Sequence, residues 1–237
     1  MNKSFQFKEF EVHQDRCAMK IGTDSVLLGA WTSIDKNPQS ILDIGAGTGV
    51  LALMLAQRSG AELIDAIEID DEAYEQCVEN FEQSPWSDRL FCYHASLQEF
   101  VAEIEEKYDL IISNPPFYSD SYKSDNQQRD LARFVDALPF RHLIESVSKL
   151  LSHQGTFSVV IPFSEEKNFI ALASKEHLFP SKILRVKGAP TSEIKRSLLQ
   201  FSFEEMAIDP NELIIETERH KYTDAYIRLT KDFYVKM

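Results

Sequence analysis

From Ser40 onward, short apolar runs alternate with helix-patterned stretches. "SILDIG" reads as a strand ending in glycine. "VLALMLAQR" is apolar almost all round, which fits a buried helix. "ELIDAIEID" predicts a second strand, and "DEAYEQCVENFEQ" a helix with Tyr74, Cys77, Val78 and Phe81 on one face. "RLFCYHAS" and "YDLIISN" predict the third and fourth strands. Phe140 to Leu151 predicts a helix with Leu143, Ile144, Val147, Leu150 and Leu151 turned inward. "GTFSVVIP" is a fifth strand, and a helix follows around Glu165 to Lys175. Strands that alternate with helices in this way build a parallel sheet covered on both faces.

Both ends break the pattern. "SKILRVKG" and "RSLLQFSFE" have no helical stretch between them and predict an antiparallel pair closing a seven-stranded sheet. The tail carries a strand-like run, "LIIET", and a helix near Tyr222 to Phe233. Ahead of the core, Phe5, Phe7, Phe10 and Val12 alternate with polar neighbours. "HQD" then predicts a turn, "CAMKI" a returning strand, and "GTDSVLLGAW" a helix capped by Thr23 or Asp24. The expected organisation is one α/β domain, with residues 1–35 capping a core of residues 36–237.

Composition narrows the function classes. The chain has 237 residues, 43% of them hydrophobic, enough for a full core. No apolar run approaches the ~18 residues needed to cross a bilayer. Met1 to Phe5 has no basic stretch leading into an apolar one, so no secretory signal is expected. Three cysteines without a CxxC pair, and six histidines without HxxxH spacing, predict neither a disulfide framework nor a metal site. A monomer in the cytoplasm, with no membrane attachment, is the expectation. The formal charge of −13 disfavours non-specific adhesion to nucleic acid.

Two motifs carry chemistry. "LDIGAGTG" places Asp43, Gly45, Gly47 and Gly49 at a strand-to-helix turn, where a backbone free of side chains admits a ligand. No Lys-Ser/Thr follows, so this is not a phosphate-cradling loop. Asp43 suits a ligand with an ammonium group. Glu68 ends the next strand, where a carboxylate can take both hydroxyls of a ribose. Asn114-Pro115-Pro116-Phe117 follows strand four. Its prolines stiffen the turn. The Asn114 side-chain oxygen and the Pro115 carbonyl then form two acceptors suited to a planar –NH2 group, and Phe117 offers a face for stacking.

Together these residues resemble the class I S-adenosylmethionine-dependent amino-methyltransferases, whose Rossmann-like sheet also closes with an antiparallel hairpin. The resemblance implies S-adenosylmethionine as cofactor, with its methionine and ribose on the glycine loop. It also implies Glu68 on the ribose, and Ile69 on the adenine with Ser96 nearby. "FQFKEFEVHQDRCAMKIGTDSVLLGAW", "NPPFYSDS" and "YTDAYIRLTKDFYVK" extend the resemblance to the bacterial tRNA1(Val) (adenine37-N6)-methyltransferase family. That resemblance adds Lys20, Gly22, Thr23 and Asp24 to the cofactor pocket and implies tRNA, near its anticodon, as substrate. Tyr118, Tyr122, Lys123, Arg129 and Arg133 after the motif, and Arg185, Lys187, Lys195 and Arg196 around the closing hairpin, are candidate RNA contacts. Guanine N2 of ribosomal RNA and a protein glutamine are alternative amines for the same turn. A catalytically silent module on the same fold is a third reading.

Overall fold

The computed structural model of the protein describes residues 4–116 and 139–236. Two short strands, β1 (Ser4–Gln6) and β2 (Glu11–His13), precede helix α1 (Thr23–Trp31). Then follow β3 (Ser40–Ile44), α2 (Val50–Arg58), β4 (Leu63–Glu68), α3 (Asp71–Glu82), β5 (Leu90–His94), α4 (Leu97–Glu103) and β6 (Tyr108–Ser113). After residue 138 come α5 (Phe140–Leu150), β7 (Leu151–Pro162), α6 (Glu166–Lys175), β8 (Phe179–Lys187), β9 (Ile194–Ser202) and β10 (Asn211–Ile214). A small hairpin, β11 (Glu216–Glu218) and β12 (Lys221–Tyr222), leads to α7 (Asp224–Thr230).

The main sheet runs β10-β8-β9-β7-β6-β3-β4-β5. Strand β9 pairs antiparallel with β7 and β8, as the lack of a helical pattern between β8 and β9 predicts. Eight strands, not seven, form this sheet among the described residues. The eighth, β10, pairs in parallel with β8 from Asn211↔Leu184 to Ile214↔Lys187. It has four residues, of which only Leu213 is buried, too short a run for periodicity to mark as a sheet member.

The central strands read as unbroken apolar runs because both faces are covered. Ile41, Leu110 and Ile112 pack with α1, α2 and α3 residues such as Val26, Leu53 and Phe81. Leu42, Ile44 and Ile111 point to the other face, against Phe100, Leu143 and Phe169. The switch from one cluster to the other at every residue is the two-residue period of a strand.

Helix α3 turns a different face inward from the one its apolar spacing predicts. Ala73, Gln76, Cys77, Asn80 and Phe81 are buried, while Tyr74 and Val78 sit half-buried at its edge. The reason lies in its two amides. Asn80 accepts from the His13 N–H at 2.8 Å and donates to the carbonyls of His13 (2.8 Å) and Thr48 (2.9 Å). Gln76 accepts from the Arg16 N–H at 3.1 Å. Buried amides pay for their desolvation only with such bonds, so α3 rotates to clasp the N-terminal segment.

That segment departs from its expected course. The chain turns at Phe7 to Phe10, where the Phe7 N–H donates to the Phe10 carbonyl at 2.9 Å, and β2 is the returning strand. "HQD" makes no hairpin turn and "CAMKI" no strand. Side chains satisfy its backbone instead. Gln14 accepts from the Ile21 N–H at 2.9 Å, and the Lys20 ammonium donates to the carbonyls of Gln14 and Cys17. The N-cap of α1 is Gly22, with no side-chain cap, so Thr23 and Asp24 are its first helical residues. At the other end of α1, Arg58 donates to the carbonyls of Gly29 (2.6 Å) and Thr32 (2.8 Å).

Asn80→Ala removes three bonds at once, one of them buried, and leaves the His13 and Thr48 groups without their partner. It should destabilise the protein by about 2–4 kcal/mol in urea unfolding. A loss under about 1 kcal/mol would show that α3 is held by its apolar residues alone.

Candidate active site

Strand register assembles the site. Ile44 of β3 lies opposite Ser113 of β6 on one side and Ile67 of β4 on the other. The next residues, Asn114, Gly45 and Glu68, therefore stand side by side where the three strands end. With strands ~4.8 Å apart, this row is about 10 Å long. It straddles the point where the strand order reverses, since β4 and β5 lie on one side of β3, and β6 on the other. Open α/β sheets bind ligands at such a point.

The glycine loop holds its shape through left-handed backbone. Gly45, Gly47 and Gly49 have φ of 73°, 54° and 77°, values that residues with a Cβ adopt at a cost. A Cβ on Gly45 or Gly47 would meet nothing within 4 Å, so open space lies over the loop. A Cβ on Gly49 would lie 2.5 Å from Phe81 and 2.8 Å from the Cys77 sulfur. Gly49 thus lets the loop seat on α3. The N–H groups of Gly45 and Ala46 both donate to the Ile67 carbonyl at 3.0 Å, tying the loop to β4.

Two carboxylates flank the loop. Asp43 is fully buried beneath it, and its Oδ2 accepts from the Ala52 N–H at 3.2 Å. Gly49, at the N-cap of α2, has no side chain to make that bond, so the strand supplies the cap. Asp43 Oδ1 has no partner among the described residues. Burial pushes the Asp43 carboxyl up to about 7, the Ala52 N–H opposes this, and the Glu68 charge adds to it. Glu68 accepts from the Gly47 N–H at 2.7 Å and from the N–H groups of Ile69 (2.8 Å) and Asp70 (3.0 Å). Backbone donors on both its oxygens hold this carboxylate at the strand end.

Asn114 closes the row. Its Nδ2 donates to the Ser25 hydroxyl at 2.9 Å, which leaves Oδ1 as the acceptor end of the amide. Ser113, before it, is buried and donates to the Ile44 carbonyl at 2.8 Å, fastening β6 to β3. Pro115 is buried and Pro116 exposed. Phe117, with Tyr118, Tyr122, Lys123, Arg129 and Arg133, lies outside the described residues.

The remaining expected residues divide. Ile69, directly after Glu68, is 58% exposed, an apolar side chain presented at the strand end. Ser96 is the N-cap of α4 and forms a full capping box with Glu99. Its hydroxyl donates to Glu99 Oε2 at 2.7 Å and accepts from the Glu99 N–H at 3.2 Å. Its hydroxyl is engaged in closing a helix. Lys20 holds carbonyls of its own segment, Gly22 and Thr23 are exposed at the start of α1, and Asp24 accepts from Arg196 at 2.7 Å.

The four hairpin cations each face an acidic neighbour. Arg185 pairs with Glu166 at 2.7 Å, Lys187 with Glu212 at 2.9 Å and Arg196 with Asp24 at 2.7 Å. Lys195 lies 3.9 Å from Glu193, both well exposed. A carboxylate stands beside each cation, so this edge is charge-balanced. Sequence reading also passed over Ser25, Gln76 and Asn80. Ser25 adjoins Asp24 in a block already singled out, but its partner is 89 residues away.

The residues fit S-adenosylmethionine. The unpartnered Asp43 oxygen suits an ammonium, open space over Gly45 and Gly47 admits a ligand against the backbone, and exposed Ile69 beside Glu68 suits a purine face next to ribose hydroxyls.

Asp43 also makes stability depend on pH. Between the ordinary carboxylate range and about 7, the folded chain holds this proton and the unfolded chain does not. Asp43 therefore contributes stability at low pH that is lost as pH rises through about 7. Asp43→Asn has no such loss. In ligand-free protein, the variant's stability relative to wild type should rise by about 2 kcal/mol between pH 5 and pH 8 in urea unfolding. A pH-independent difference would show that burial does not raise this group.

Comparison with known proteins agrees with this geometry. The Methyltransferase small domain model matches residues 19–168. A tRNA1(Val) (adenine(37)-N6)-methyltransferase of Flavobacterium psychrophilum is 63% identical over 233 residues, covering 98% of this chain and all of the relative. One from Bacteroides fragilis is 46% identical, over 98% of each chain. Among solved structures, a predicted O-methyltransferase from Agrobacterium tumefaciens superposes with a TM-score of 0.70 at 21% identity, over 89% of this chain and 96% of that one. A ribosomal protein L11 methylase from Lactobacillus delbrueckii subsp. bulgaricus gives 0.56 at 18% identity, over 79% and 82%. Such different substrates on one fold mean that these structural likenesses speak for the architecture alone. The near-complete match to the curated relatives is what identifies the chain as a member of the tRNA1(Val) (adenine(37)-N6)-methyltransferase family.

Proposed function

We propose that this protein transfers a methyl group from S-adenosylmethionine to N6 of adenine 37, beside the anticodon of tRNA1(Val). The observation that carries the reading is the row of Asn114, Gly45 and Glu68 at the strand ends, with the Asn114 amide nitrogen spent on Ser25. Membership of the family supplies the substrate.

Each group in the row has a task. Asp43 Oδ1 would accept from the cofactor's ammonium, and Glu68 from its ribose hydroxyls. Ile69 would cover one face of the cofactor's adenine. The bound cofactor supplies an electrophilic methyl on sulfur. Asn114 Oδ1 and the Pro115 carbonyl accept the two N–H bonds of the substrate amine. Two acceptors draw that nitrogen away from planarity and localise its lone pair toward the methyl. The stiff Pro115-Pro116 turn keeps the acceptors in place, so the gain is one of orientation. The amine needs no prior deprotonation. With the cofactor bound, forming the N–C bond would break the sulfur–methyl bond and leave S-adenosylhomocysteine, and the surplus proton would then pass to water from the acidic ammonium so formed. A base stacked in a tRNA loop must swing out to reach this turn.

Incubation with methyl-labelled S-adenosylmethionine and tRNA from a strain lacking the modification should place label on N6-methyladenosine in tRNA1(Val). Label on guanine, or on no tRNA, would overturn the reading. Asn114→Ala should lower kcat roughly 100-fold, as loss of a transition-state hydrogen-bonding group does elsewhere. Affinity for S-adenosylhomocysteine, measured by calorimetry, should stay within about twofold. Equal loss of turnover and affinity would place Asn114 in cofactor binding instead.

A further inference from the structure

An amide has one acceptor end and one donor end of nearly the same shape. A catalytic asparagine is useful only if the acceptor faces the substrate amine. Turned over, Asn114 would present N–H groups to N–H groups. A carboxylate has no such problem, since either oxygen accepts. Something must therefore hold the Asn114 amide the right way round.

We infer that Ser25 is that positioning residue: its hydroxyl receives the Asn114 Nδ2–H, the orientation in which Oδ1 is left toward the substrate amine. The bond is 2.9 Å long and partly buried. Ser25 is the third residue of α1, and the turn that carries it is tied down independently. Asp24 accepts from the Arg196 guanidinium at 2.7 Å, and Arg196 lies opposite Pro162 in the pairing of β9 with β7. The first turn of α1 is thereby fixed to the sheet at β9, two strands from β6. Farther along, Gly29 lies against Met54, where an added Cβ would be 2.7 Å from the sulfur. A rigid α1 delivers one hydroxyl to one amide.

The inference rests on Asn114 acting on the substrate amine, and the test separates the two claims. Asn114→Ala alone tests that role. Ser25→Ala should lower kcat about 3- to 10-fold, the range set by one lost hydrogen bond. KM for tRNA and affinity for S-adenosylhomocysteine should stay within about twofold. Ser25→Thr, which keeps the hydroxyl, should retain activity, and the near-isosteric Ser25→Val should behave like Ser25→Ala. This pair carries the comparison if the alanine variant unfolds.

The distinguishing measurement uses Asn114→Asp, whose two ends are both acceptors. In that background Ser25→Ala should cost no more than about twofold. A similar loss in both backgrounds, or none in either, would overturn the positioning role. Full activity of Asn114→Ala would instead remove the proposed role of Asn114.

Discussion

Parallel pairing fixes where each strand ends relative to its neighbours, and β6, β3 and β4 end level with one another. Ile44 stands opposite both Ser113 and Ile67, so Asn114, Gly45 and Glu68 are brought level without any loop having to reach. The site therefore inherits the rigidity of the sheet. A one-residue slip in either ladder would turn the buried apolar side chains to the wrong face, so the packing that stabilises the core also holds the register of the site.

The N-terminal segment depends on that frame and gives stiffness back to it. Asn80 bonds to His13 and to the Thr48 carbonyl of the glycine loop, so one side chain couples the segment to the loop. Gly49 lies against Phe81 and Cys77 on the same helix. Helix α3 thus forms the floor under the loop as well as a clasp for the cap. Its inward face mixes amides with apolar residues because both jobs fall on it.

Much of this was legible in the sequence where local chemistry decides structure. Apart from α4 (Leu97–Glu103), which apolar spacing did not mark, the strands and helices from residue 40 to 175, the glycine turn with its two carboxylates, and the NPP turn follow from periodicity and residue type. What stayed hidden was set by partners far along the chain. Apolar spacing put Tyr74 and Val78 inward on α3, but Gln76 and Asn80 are buried because backbone 60 or more residues earlier needs them. "CAMKI" looks like a strand by composition, yet Gln14 and Lys20 satisfy carbonyls and an N–H that a ladder would have used. The hairpin cations look basic in sequence, while Glu166, Glu212 and Asp24 reach them only in the fold. Ser25 gave no sign at all, since nothing near it in sequence needs its hydroxyl.

The choice of an amide at position 114 follows from what already stands near it. Asp43 is buried with one oxygen unpartnered, and the Glu68 charge pushes its proton affinity higher still. A carboxylate at 114 would add a second charge beside that of Glu68, within about 10 Å, raising Asp43 further. It would also repel a phosphate-bearing substrate, which a chain of net charge −13 can ill tolerate. Asparagine accepts the same hydrogen bond without the charge. Its disadvantage is that its two ends differ, so the orientation must be supplied from outside, and α1, the helix at the end of the N-terminal cap, supplies it. The cap and the NPP turn are therefore two halves of one device: the turn presents the acceptor, and the cap decides which atom is presented.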